Sequence, residues 1–139
     1  MESPVTDTET QRAERFAAGM RGLDAIDGEA GVKVIDSLAD IAPEHGHQIV
    51  AWGFGDMYAR PDLQPRDRQL VTLGMLTALG SCEPQLEVHI GASLNVGLQP
   101  HEIIEAFLHS SVHCGFPKAL NAVAVARKVF TARGLLPLI

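Results

Sequence analysis

The sequence predicts an all-α protein, a compact bundle of about six helices folded partly as helical hairpins. Apolar residues recur at spacings of three and four, Val and Ile rarely alternate with polar residues, and glycines and prolines fall mostly between the apolar-periodic stretches. With 139 residues, 46% of them hydrophobic and 20% charged, the chain reads as one soluble domain spanning 1–139.

Residues 1–8 are polar and predict a flexible N-terminus, after which residues 9–22 place Phe16, Ala17 and Met20 on one side of a short helix. The Gly- and Asp-rich residues 24–31 predict a connection. Val32, Val34, Ile35 and Leu38 then mark a short helix that stops before Pro43. A longer helix follows over about 43–58. His45 and His47 near its start are expected to be exposed, and Trp52, Phe54 and Tyr58 to pack in a core or subunit interface.

Pro61 and Pro65 mark a turn, with Pro65 in the first turn of the next helix, where its missing N–H costs little. That helix, 66–79, is apolar on nearly all sides after its first turn, which predicts deep burial. Gly80 closes it, and Ser81 is a candidate cap for a helix over about 82–96, whose early Glu83 suits the positive end of the dipole. Pro100 and Glu102 open a helix to Cys114, and Gly115 to Pro117 break the chain before a last helix over about 117–133. With only five Phe, one Trp and one Tyr, the helices can approach closely, and the width of several apolar faces predicts self-association.

Eleven Lys and Arg against 17 Asp and Glu leave a net charge of −6, and no basic run exceeds Arg127 and Lys128. Nucleic acid and anionic membrane surfaces are therefore poor partners. The uncharged stretch 69–82 falls short of the roughly 20 apolar residues that span a bilayer. Residues 1–15 lack the apolar core of a secretory signal, so a cytoplasmic location is expected. Two cysteines exclude a disulfide framework.

Cys82, Gln85 and His89, at spacings of three and four, put a thiol, an amide and an imidazole on one helical face. Cys82 falls in a first turn, where the helix dipole favours thiolate, although the same pattern suits a small buried thiol beside a core histidine. Arg68 has the planar geometry to bind a carboxylate bidentately, or to pair with Asp56 or Asp67. Glu87 is two positions from His89 and so points away from it, toward a salt bridge. Glu105, His109 and His113 recur every four residues, but a metal site needs ligands from a second element, and none is predicted. His113 and Cys114 are read as pocket lining.

Residues 55–63 (GDMYARPDL), 66–76 (RDRQLVTLGML), 87–89 (EVH), 101–105 (HEIIE) and 114–117 (CGFP), in that order, resemble the carboxymuconolactone decarboxylase family over about residues 45–133, and within it the γ-carboxymuconolactone decarboxylase branch. The resemblance implies an all-helical fold in a ring-shaped homo-oligomer, often a hexamer, with pockets between subunits. It also implies loss of CO2 from a small carboxylated ring compound such as γ-carboxymuconolactone, in aromatic-compound metabolism, without metal or organic cofactor. In such a reaction the lactone carbonyl is the electron sink, hydrogen-bond donors stabilise the developing oxyanion, and an acid protonates the dienolate carbon. His89, with an ordinary pKa near 6.5, is the expected proton donor, with Arg68 and Cys82 beside it and Gln85, His113, Cys114 and Tyr58 as substrate contacts.

The same superfamily holds alkylhydroperoxidase D-like proteins, which use a Cys-x-x-Cys pair, a histidine and a glutamate of the preceding helix. Against that pattern Cys82 and His89 match, Gln85 stands for the second cysteine, and Gln69 stands for the glutamate. A thiol oxidoreductase would then need Cys114 as its resolving thiol. His113 departs from an aromatic residue common in the decarboxylase branch. A non-catalytic oligomeric binding protein of the same fold is the third reading.

Overall fold

The computed structural model describes residues 7–139. Among them are seven α-helices and one π-helical segment, with no strand, so the all-α expectation holds with one helix more than the six expected. The chain forms two compact units, one ending at Asp62 and the other spanning Leu63–Ile139.

In the first unit, α1 (Glu9–Ile26) begins at a reciprocal cap. The Thr8 hydroxyl accepts from the Gln11 N–H at 3.2 Å, and the Gln11 side-chain oxygen accepts from the Thr8 N–H at 2.9 Å. Asp7 is paired with Arg15. Residues 1–6 of the expected flexible terminus lie outside the described residues. The expected connection over 24–31 shrinks to Asp27 and Gly28, because α1 continues until Leu23 and Ile26 are buried and α2 (Glu29–Leu38) starts at once. Gly28 makes this corner at φ +62°, a conformation that a side chain disfavours.

After α2, α3 (Pro43–Gln48) passes directly into the π-helical segment Ile49–Met57, closed by a Tyr58 N–H to Gly53 carbonyl bond of 3.0 Å. Glycines let this segment meet α1 backbone to backbone: a Cβ on Gly19 would stand 2.0 Å from the Val50 carbonyl oxygen, and one on Gly55 3.0 Å from that of Arg15. Phe54 is buried and stacks on Tyr58 at 4.9 Å, as expected of core aromatics, while Trp52 is exposed. His47 corrects its expected exposure, being half-buried and stacked on Phe16 at 5.5 Å.

The second unit comprises α4 (Pro65–Leu79), α5 (Glu83–Asn95), α6 (Pro100–Cys114) and α7 (Phe116–Ala132). Its core joins Leu73, Leu86, Ile90, Ile103, Phe107, Ala126 and Phe130. Fully burying a phenylalanine such as Phe107 contributes about 2–3 kcal/mol. The Gln99 side chain and Glu102 cap α6 reciprocally, and Gly115 at φ +85° turns the chain into α7. Ser81 does not cap α5: it lies at φ +54°, and Cys82 occupies the cap position without a side-chain capping bond.

The deep burial expected of α4 holds only for the stripe Gln69, Leu73 and Thr77. Val71, Met75 and Leu79 on the same helix are 52%, 54% and 71% exposed. Leu108, Val112, Phe116 and Leu120 on α6 and α7 are likewise exposed. Among the described residues no helix is long and apolar enough to cross a membrane.

Asp27, at the α1–α2 corner, is only 7% exposed, and its Oδ1 meets no hydrogen-bond partner among the described residues. Burial pushes its pKa up to about 7 from an ordinary 3.8. The folded state therefore holds this proton more tightly than the unfolded chain does. The contribution of Asp27 to stability is full below about pH 4 and is lost as pH rises toward 7. Asp27→Asn, which cannot ionise, should raise stability at pH 8 by roughly 1–3 kcal/mol and change it little at pH 4, read by urea unfolding at the two pH values.

Candidate active site

Two neighbouring helices of the second unit build the site. On α4, Gln69 shares a face with Leu73 and Thr77, so the stripe that anchors the helix in the core carries an amide into it. On α5, His89 lies between the buried Leu86 and Ile90, half-buried itself. The two side chains meet with His89 Nδ1 3.0 Å from Gln69 Oε1. Burial lowers the His89 pKa below its ordinary 6.5, which favours the neutral ring. One turn on, the Ser93 hydroxyl donates to the His89 carbonyl at 2.6 Å.

Arg68 precedes Gln69 in the first turn and a half of α4. Its Nε donates to the Leu63 carbonyl at 3.0 Å, which orients the guanidinium. Of the two carboxylates considered as its partners, Asp56 pairs with Arg15 at 2.5 Å and Asp67 with Arg66 at 3.6 Å.

Of the face expected to carry Cys82, Gln85 and His89, Gln85 is exposed and Cys82 is half-buried at the start of α5, its thiol donating to the Gly80 carbonyl at 3.2 Å. Cys114 ends α6, and both cysteines are free thiols. His113 is exposed, its ring edge-on to that of His109 at 6.4 Å. Among the described residues no three His, Cys, Asp or Glu side chains are arranged to hold a metal ion. Glu87 makes the expected salt bridge, accepting from Lys128 at 2.7 Å. Tyr58 belongs to the first unit, stacked on Phe54.

Sequence reasoning left Gln69 out of the site residues, although it noted the position. A signal was present: a polar side chain at the head of the stripe 69, 73, 77, spaced by four, must, if the stripe is buried, find a buried partner.

The model of the Carboxymuconolactone decarboxylase family matches residues 43–128 of the chain. The protein belongs to the carboxymuconolactone decarboxylase family. The 4-carboxymuconolactone decarboxylase of Acinetobacter baylyi is 31% identical over 125 residues, covering 89% of this chain and 92% of the relative. A nitrosuccinic acid decarboxylase of Metarhizium robertsii is 30% identical over 131 residues, covering 92% and 89%. An uncharacterized 15.0 kDa protein of Paracoccus denitrificans is 32% identical over 95 residues, covering 68% and 71%. Family membership and the two named decarboxylases support enzymatic decarboxylation by this carboxymuconolactone decarboxylase family member.

The lowered proton affinity of His89 has a direction in stability. The unfolded chain takes up the imidazole proton first, so the contribution of His89 is present above pH 6.5 and declines as pH falls. Asp27 acts in the opposite sense, so the quantity to read is the difference between wild type and His89→Asn in urea unfolding. Between pH 7.5 and 5.5 the wild type should lose more stability than the variant.

Proposed function

We propose that the protein decarboxylates a small carboxylated ring compound such as γ-carboxymuconolactone, with His89 giving the proton that replaces CO2. The observation that carries this reading is the half-buried imidazole fixed by the Gln69 amide, one residue along from Arg68 on α4. When the bond to CO2 breaks, its electron pair must move into an acceptor, and a conjugated lactone carbonyl is one. The resulting dienolate then takes a proton, a step for which a positioned imidazole is well matched near neutrality. Because the substrate supplies its own electron sink, this chemistry requires neither metal nor organic cofactor.

In this reading Arg68 docks a substrate carboxylate, with its orientation set by the Leu63 carbonyl. Gln85, Cys82, His113 and Cys114 complete the pocket. The exposed apolar side chains Val71, Met75 and Leu79, with Leu108, Val112, Phe116 and Leu120, support assembly into a homo-oligomer, which we take to be a cytoplasmic hexameric ring. The nitrosuccinic acid decarboxylase relative supports a second substrate reading, a carboxylate whose acceptor is a nitro group.

CO2 release from γ-carboxymuconolactone under thiol-free, metal-free conditions tests the proposal. Wild type should turn over. His89→Ala should lose about 10²–10⁴-fold in kcat, Arg68→Ala should mainly raise KM, and Cys82→Ser should stay within about threefold of wild type. Turnover of nitrosuccinic acid but not of the lactone would replace the substrate. Peroxide reduction that is lost with Cys82→Ser, without any CO2 release, would replace the reaction.

A further inference from the structure

The contact between Gln69 and His89 bears on which nitrogen of the ring works. Gln69 is fully buried at 0% exposure, and its Oε1 lies 3.0 Å from His89 Nδ1. An amide oxygen only accepts, so Nδ1 must supply the hydrogen, and in the neutral ring the other nitrogen is left with a lone pair. We infer that Gln69 is a positioning residue that holds His89 as the Nδ1–H tautomer, making Nε2 the atom that takes up and delivers the catalytic proton. The inference rests on the decarboxylase reading for its chemistry and deepens it.

With Nε2 bare between turnovers, His89 cannot begin the cycle as a donor. It must first take a solvent proton at Nε2, which the arrival of an anionic substrate favours. The carbon–carbon bond then breaks, CO2 leaves, and the electron pair passes into the lactone carbonyl. Nε2–H gives its proton to the dienolate carbon, and the ring returns to the neutral Nδ1–H form. Overall a carboxylate and one solvent proton become CO2 and a new C–H bond.

The choice of amide over carboxylate at position 69 fits this cycle. A carboxylate there would also accept from Nδ1–H, but its charge would hold the imidazolium and slow release of the proton. Gln69 orients the ring without adding charge. The charged side chains nearest in sequence are Arg68 on α4 and Glu87 on α5, the latter turned to Lys128 on α7.

The test uses the full chain labelled with 15N-histidine, without substrate, in long-range proton–nitrogen spectra at pH 8, with the His89 signals assigned by their loss in His89→Ala. In wild type, His89 should show a protonated Nδ1 and a bare Nε2. Gln69→Leu should move it toward the Nε2–H tautomer favoured by free histidine, and should lower kcat by about 10-fold or more while KM stays within about threefold. Gln69→Glu, which keeps an acceptor and guards against a folding defect in the leucine variant, should restore the Nδ1–H form and titrate at higher pH than wild type. An Nε2–H ring in wild type, as a flipped Gln69 amide donating to Nδ1 would produce, overturns the inference. So does a tautomer that Gln69→Leu leaves unchanged. The tautomer is read without substrate, so a wild-type Nδ1–H ring that Gln69→Leu undoes, found together with no CO2 release from either acid, overturns the decarboxylase reading and upholds the hold of Gln69 on His89.

Discussion

The hydrogen bond between Gln69 and His89 ties a core-forming stripe of α4 to the face of α5 that carries the imidazole. Gln69 is as buried as Leu73 one turn away, so its amide cannot turn to water for a partner. Leaving such a group unsatisfied costs about 1–3 kcal/mol, so the bond to the imidazole contributes to folding. In the proposed mechanism the same contact leaves His89 one working nitrogen, and burial favours the neutral ring. Position and the inferred tautomer thus follow from one pair of side chains, and the charge state follows from burial.

A different constraint shapes the first unit. Where α1 crosses the π-helical segment, the backbones approach so closely that Gly19 has no room for a Cβ against Val50. The wider helix and the glycine contacts come together, and Phe54 and Tyr58 stack along the same segment. Asp27, buried at the neighbouring corner, opposes His89 in its pH response. The carboxyl is held neutral by burial and favours the fold at lower pH, whereas the imidazole is held neutral by burial and favours it at higher pH.

Much of this was legible in the residues. Pro65, Gly80, Pro100 and Gly115 mark helix ends that the structure reproduces within a residue or two, because proline and glycine act on the backbone locally. The α1–α2 corner was misread because Asp and Gly lower helix propensity, yet burial of Leu23 and Ile26 outweighs it. The π-helical winding had no local signature, since it answers to the packing of Gly19 on Val50. Deep burial of α4 was overestimated because an apolar helix looks the same in sequence whether or not the rest of its chain covers its outer face. In the candidate site, His89 and Arg68 stand out in the sequence by residue type and spacing. Gln69 was visible only as a departure from a charged pattern, and its meaning depended on a contact between residues 20 positions apart.

The central claim, that His89 delivers the proton from a fixed face, is tested most directly by decarboxylation in D2O with analysis of the deuterium in the product. The account predicts one deuterium at the carbon that receives the proton, in a single handedness, with that selectivity lost along with most of the rate in His89→Ala. Equal labelling of both faces by the wild-type enzyme would show that solvent protonates a released dienolate and would contradict the account.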